Sequence, residues 1–488
     1  MTHREPGQGW TTAVPAGWRS VTGGPAFWRG DPWHDPVRLV VEAQPGRPPA
    51  EALAALAAAR SIRIAGPREG HRRWARRAGH TGDGALAVEL AVAELDGGAV
   101  VAALVAPPGE MPALVDAVLL PALDAFVPGP PDPPRGVLAD PVPEPAYWPT
   151  GGWRTATPES QGMDAARLGA LLAEIRDRDL PVDSVTVVRH GHVVLDATFG
   201  AFAAGTLGAT WATGRLHKLQ SVTKTVVGML LGIALADQPA GGVTVDTPFL
   251  DVAGDLPSVP RRPDAAMRAI TLHDLVTMRT GIDWRESGHA YERGGTNDVM
   301  AMILTRDWTR YVLDRPVAEE PGARFVYDSG AAHLVSAAIS ALTGRPAHAF
   351  AAERLFRPLG ITRAPWLCAP EGVASGGFGL LLDPLDLAKL GFLALHGGRW
   401  EGRPVVPADW LASSTTDHVG RPPQQYGHLW WLDRADGYAH MAGLHGQLAV
   451  VHPGADLVVV MTGHFPAAVD ASAVQRWLVE EFVLPAVG

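Results

Sequence analysis

Apolar residues recur along this chain with two different periods, and the places where the period changes divide it into parts. From Val37 to Ala43 they alternate with a period of two, which predicts a strand, and Pro49 to Ile62 reads as an Ala/Leu-rich helix. Two further strands, Ala85 to Leu95 and Ala99 to Val105, flank Asp96-Gly97-Gly98, a turn able to supply the positive φ angles of a tight hairpin. Met111 to Phe126 returns to helical spacing. Residues 8–127 therefore read as a small α/β unit.

Nine of the 22 residues from Pro128 to Pro149 are proline, which removes backbone donors and favours extended chain, so 128–149 is expected as a linker. Beyond it, 150–488 reads as one larger unit. It opens with a helix from Asp164 to Arg178 and a strand pair, Ser184 to Arg189 and Val193 to Phe199, turned by His190-Gly191. It closes with strands Leu448 to Val451 and Leu457 to Met461 around His452 to Asp456, then a helix that Asp470 can cap, running through Val483. Strands at both ends with helical text between them predict an α+β fold: an antiparallel sheet closed by the two ends of the unit, flanked by helices, with an inserted helical lobe and a cleft beside it.

A length of 488 residues exceeds one ordinary core, and 47% hydrophobic residues suffice for two. The net charge of −10 is spread without blocks, so nucleic acid is not an expected partner. Val226 to Ala236, the longest apolar run, is far short of a membrane span and reads as a buried helix. Met1 to Trp10 has no apolar core of a secretory signal, so a cytoplasmic location is expected. Cys368 is the one cysteine, which excludes an internal disulfide. His217, His273 and His464 show no ligand spacing with carboxylates, so neither a metal nor another cofactor is expected.

Only Lys218, Lys224 and Lys389 among the 41 basic residues are lysine. Arginine serves wherever fixed positive charge suffices but cannot give up its proton near neutral pH, so each lysine is a candidate for proton transfer. Lys389 lies in the helical pattern Pro384 to Leu395 and reads as structural. Lys224 stands three residues after Ser221, in LQSVTKTVVGMLLGIALAD, where a helix starts. That spacing puts both side chains on one face, and a serine hydroxyl needs such a base before it can attack a carbonyl.

SVTK resembles the S-x-x-K motif of serine β-lactamases, penicillin-binding DD-peptidases and their esterase relatives. ITLHDLVTMRTGIDW, PGARFVYDSG, GGFGLLLDPLDLAKLG, YGHLWWL and AGLHGQLAVVHPGADLVVVMTG are similar to further segments of that family in the same order, from about Trp148 to Val487. The resemblance implies an acyl-enzyme on Ser221, with Lys224 and Tyr327 of YDS as general base and acid and no cofactor. It implies an oxyanion hole from the amides of Ser221 and Gln447. Ser329 holds a place where many relatives have Asn, and would bind Lys224 or substrate. Antibiotic-hydrolysing relatives carry Lys-Thr-Gly or His-Thr-Gly on the strand beside the serine. Here Leu444-His445-Gly446, the candidate substrate-binding triplet, matches it, which puts Leu444 at the cationic position and turns His445 to the far face unless a local bulge brings it into the site.

Loss of that cation favours neutral esters or amides, as in the branch of 6-aminohexanoate-dimer hydrolases and esterases. β-Lactamase or DD-peptidase activity remains an alternative, as does a silent ligand-binding protein. Glu286, Tyr291 and Asn297 are candidate pocket-wall groups, but the favoured reading for each is a residue of a solvated polar loop. The small unit, with VPAGW near its start and FVP at its end, resembles PsbP/Mog1-like domains. Its protein partner, if it has one, is not legible.

Overall fold

The computed structural model describes the chain from residue 37 to 487 except 46, 83, 96–97, 129–135, 200–211, 214, 240, 261–263, 292–294, 421–424, 435 and 467–470. Before residue 37 it describes 2–4, 10–14, 18–20 and 26–29. Contacts divide the chain into two compact units, residues 1–134 with 434–436, and the remainder.

The first unit is a seven-stranded antiparallel sheet. Its strands are β1 (Arg19–Ser20), β2 (Ala26–Trp28), β3 (Arg38–Pro45), β4 (Ile62–His71), β5 (Trp74–Thr81), β6 (Ala87–Leu95) and β7 (Gly98–Ala106), in the order β1-β2-β3-β7-β6-β5-β4. Alternation along β7 serves both faces. Val101, Ala103 and Val105 pack with Leu53 and Leu56 of α1 (Pro49–Ala59), while Val100, Ala102 and Leu104 pack with Val118, Leu119 and Leu123 of the helical run from Met111 to Asp124. The hairpin β4–β5 has no counterpart in the hydrophobic pattern. Most of β4 is exposed, so its sequence IRIAGPREGH never had to alternate. Asp96 and Gly97 of the expected turn lie outside the described residues.

In the second unit the first and last long strands are neighbours. The sheet contains β8 (Arg154–Thr155), β9 (Val182–Arg189), β10 (His192–Thr198), β11 (Gln425–Tyr426), β12 (Trp431–Asp433), β13 (Tyr438–Gly443), β14 (Gln447–His452) and β15 (Leu457–Gly463). Their order is β8-β10-β9-β15-β14-β13-β12-β11, antiparallel except where the short β8 joins β10. β9 pairs with β15 from Val182 opposite Gly463 to Arg189 opposite Leu457. His190 and Gly191 both have positive φ, the turn that matches strand twist in a two-residue hairpin.

Asp164 caps α2 (Ala165–Asp177) through the amides of Ala166 and Arg167, and α2 packs with the C-terminal helical segment 472–486 on one face of the sheet. Asp470, expected to cap that last segment, lies outside the described residues. On the other face lie α3 (Val222–Ala236) and α6 (Pro384–Leu395). Between these in sequence come the short α4 (Leu272–Val276) and α5 (Ser329–Thr343), which packs on α3. α3 is buried all round from Val222 to Ala234, as its unbroken apolar text requires. Residues 136–149 do not stand apart as linker: Leu138 is buried in the large core and Val142 donates its amide to Leu395. No helix among the described residues is long and apolar enough to cross a membrane.

Candidate active site

Gln220, with φ of 50°, turns the chain from the strand Leu216–Lys218 into α3 and leaves Ser221 at the cap position. The Ser221 hydroxyl makes no capping bond, so it is not spent on the helix. One turn on, Lys224 is 1% exposed. Its Nζ donates to Ser221 Oγ at 3.0 Å, Ser329 Oγ at 2.8 Å and the Gly377 carbonyl at 2.9 Å. Three acceptors match the three protons of an ammonium. Gly377 has to be glycine for this, because a Cβ there would lie 2.9 Å from Ser329 Cβ.

Ser329, the first residue of α5, extends the network. Its hydroxyl accepts from Lys224 and donates to Glu286 Oε1 at 2.6 Å, and its amide donates to Glu286 Oε2 at 2.7 Å. Glu286 is 3% exposed and also accepts from Trp284 Nε1 at 2.8 Å and from the Tyr291 hydroxyl at 3.1 Å. One hydroxyl thus links the buried Lys224 amine to the buried Glu286 carboxylate. Neither Glu286 nor Ser329 is a residue of a solvated loop. Burial and the Glu286 charge push the Tyr291 phenol upward. Asn297, by contrast, is structural: it caps the helix Asp298–Ile303 and donates to the carbonyls of Glu286 and His289.

Lys224 Nζ lies 4.7 Å from the centroid of the Tyr327 ring, which also stacks on Trp431 with centroids 5.7 Å apart. Among the described residues the Tyr327 hydroxyl has no hydrogen-bond partner. Trp431 also meets Phe325 and Tyr426, so one wall beside the serine is aromatic. Next to Tyr327, Asp328 caps α5 with one oxygen and has the other sealed without a partner. Burial first, and then Glu286, raise its carboxyl to about 7, against the opposing pull of the capping amide and Lys224.

The expectation that Leu444, His445 and Gly446 lie on a strand is not met. Leu444, His445 and Gly446 are not strand residues; they form the turn between β13 and β14, with φ of 67° at His445 and 88° at Gly446. Alternation therefore says nothing about His445, whose Nδ1 donates to the Phe465 carbonyl at 2.6 Å. Gln447 is fully buried across that turn, its side chain donating to the carbonyls of Gly463 and His445, and it braces the turn from behind. The residue that meets the nucleophile is Gly443, where a Cβ would stand 2.5 Å from Leu219 O and 3.0 Å from Ser221 N. A glycine ending a strand is a sequence signal of close backbone approach. Met441, two residues before it on the same face, is buried. His217 and His464 both bond Asp183, at 2.6 Å and 2.7 Å.

Comparison with known proteins agrees with this architecture. A family model described as Beta-lactamase matches residues 160–473. Among solved structures, a candidate 6-aminohexanoate-dimer hydrolase from Bacillus anthracis superposes with a TM-score of 0.54 at 18% identity, over 68% of this chain and 87% of that one. A candidate beta-lactamase from Bacteroides dorei gives 0.51 at 17% identity, over 67% of this chain and 99% of that one. Such identities speak for the fold, whereas the family match extends over more than half of the chain. On that match the chain belongs to the beta-lactamase family of serine hydrolases.

Proposed function

We propose that this protein cleaves an ester or amide bond through an acyl-enzyme on Ser221. The observation that carries the proposal is the 3.0 Å contact between Ser221 Oγ and the buried Nζ of Lys224 at the head of α3. Nζ faces three acceptors, so Lys224 acts as a base only in the form that has passed a proton on. Ser329 offers the route: Lys224 passes a proton to Ser329 Oγ while the Ser329 proton moves to Glu286, giving a neutral amine and a neutral carboxyl. Ser221 then loses its proton to Nζ as Oγ bonds to the substrate carbonyl carbon.

The Ser221 amide and the amide following Gly443 are the donors best supported for the oxyanion, in place of the Gln447 amide. On collapse the leaving group takes the proton from Lys224, with the unengaged Tyr327 phenol as relay. Water attacking the acyl carbon repeats the cycle in reverse and frees Ser221.

An apolar strand end, Met441-Ala442-Gly443, and the aromatic wall of Tyr327 and Trp431 support a substrate whose acyl part is uncharged. With either Leu444 or Met441 at the position where antibiotic-hydrolysing relatives place a cation, a carboxylate-bearing β-lactam lacks its partner there.

The test is covalent labelling by a fluorophosphonate. The native protein takes up one equivalent, Ser221→Ala takes up none while keeping its circular dichroism, and labelling of the alanine variant would refute the assignment. On substrates, a short-chain p-nitrophenyl ester is turned over and nitrocefin is not; efficient nitrocefin hydrolysis would overturn the preference for neutral substrates.

A further inference from the structure

Three histidines far apart in sequence meet behind α3: His273 on α4, His418 after the helix Ala408–Ser414, and His428 in the turn before β12. One ring nitrogen from each lies within 4.8 Å of the others. The His418 and His428 rings are parallel at 4.4 Å, and His273 stands edge-on to both, 5.1 and 5.5 Å away. We propose that these imidazoles form a binding site for one divalent transition-metal ion of the zinc type.

Packing alone does not account for the cluster. His428 is 1% exposed, and both its ring nitrogens are sealed from solvent without a hydrogen-bond partner among the described residues. A buried imidazole always carries at least one N–H and one lone pair or a second N–H, so two polar atoms go unanswered there. The His273 ring likewise has no hydrogen bond among the described residues. His418 differs in an informative way: its Nε2 lies 2.9 Å from the Ser413 carbonyl. A carbonyl only accepts, so the proton sits on Nε2 and the lone pair on Nδ1. That is the outer hydrogen bond by which a metal-bound histidine is held in its tautomer.

The chemistry of the donors selects the ion. Three neutral imidazoles without a carboxylate suit zinc, cobalt, nickel or copper and not magnesium or calcium. Metal–nitrogen bonds of about 2.0–2.1 Å set nitrogens roughly 3.4 Å apart around a tetrahedral ion, so the nitrogens must draw together and one of the two parallel rings must turn about its side-chain bonds to aim its in-plane lone pair at the ion. A water or an anion would complete the shell.

The ion would act as a bracket. Leu429, next to His428, accepts a hydrogen bond from Thr225 at 2.6 Å and donates to Val276 at 2.9 Å, tying the turn to α3 one residue past Lys224 and to α4. Trp410, whose ring lies tilted beside that of His428 at 4.9 Å, donates to the Gly228 carbonyl of α3.

The full chain, stripped with a chelator, is titrated with cobalt(II) and then zinc(II). His428→Phe keeps an aromatic ring between Trp410 and His418 and removes the donors; His273→Ala opens the partly exposed side. The expected result is one cobalt per native chain with ligand-field absorption in the visible, displaced by zinc. Affinity falls more than about tenfold in each variant. Zinc raises the melting temperature of the native chain and leaves that of His428→Phe unchanged. Absence of stoichiometric binding by the native chain, or equal binding by native chain and His428→Phe, would overturn the site.

Discussion

At the scale of single residues, the hydroxyl of Ser329 decides how charge is handled around the nucleophile. It accepts from Lys224 and donates to Glu286, two roles that one small side chain fills only because both neighbours are buried and fixed. Ser329→Ala removes the bridge without filling new space. The rate of ester turnover is expected to fall about 100-fold or more, with KM little changed, because proton transfer and not binding is lost. A drop in affinity at constant kcat would assign Ser329 to substrate binding instead.

Asp328, beside it, gives a pH signature. Its folded-state pKa of about 7 lies above the usual carboxylate value, so the native state keeps a proton that the unfolded chain has released. Its stabilising contribution is therefore complete below about pH 4 and is lost as pH rises through about 7, at most about 4 kcal/mol. Asp328→Asn keeps a capping oxygen and cannot ionise. Urea unfolding from pH 4 to pH 8 should show the native protein losing ground to the variant as pH rises; a difference that stays constant with pH would disprove the perturbed titration. Ser221, Lys224 and Tyr327 could be read from the sequence because their spacing and neighbouring text carry local signals. Glu286 was named there without the burial that defines its role, since a polar loop and a buried carboxylate look alike in one dimension.

Elements meet where side chains permit, and the contact between the end of β13 and the start of α3 depends on the absence of one. Gly443→Ala would place a methyl group against Leu219 O and Ser221 N, both backbone atoms that cannot swing away. The strand is held on its other edge by β14, so the shift falls on the nucleophile's turn. A displacement near 1 Å there is expected to cost about 100-fold in kcat while the circular dichroism is retained. Full activity in that variant would show that the two backbones have slack.

The misplaced third motif has a physical origin. AGLHGQLAVV reads as continuous strand text, but His445 adopts a left-handed angle that non-glycine residues seldom take, so the turn carries no ordinary sequence mark. The hairpin β4–β5 escaped notice for the opposite reason: β4 is exposed along most of its length and β5 is mostly half-buried, so neither has a period to display. β9, β14 and β15 were legible because each buries its residues against a helical layer, and β10 because the His190-Gly191 turn joins it to β9.

For the whole molecule, the apolar clusters of the two units share no residues. Separate cores predict two calorimetric transitions. Acylation of Ser221 by a fluorophosphonate is expected to move one of them and leave the other in place; a single transition that shifts as one would show the units unfolding together. The fold class was accessible from the ends of the larger unit alone. The histidine cluster was not, since His273 lies 145 residues before His418 in the numbering and no spacing rule spans such a gap.

All three lysines turn inward: Lys224 and Lys389 are buried, the latter paired with Asp386 at 2.9 Å, and Lys218 is half-buried. Side-chain positive charge at the surface of the described residues is therefore guanidinium. Succinimidyl dyes, aldehyde fixatives and amine-coupled resins would find almost no side-chain amine to grip on the folded chain.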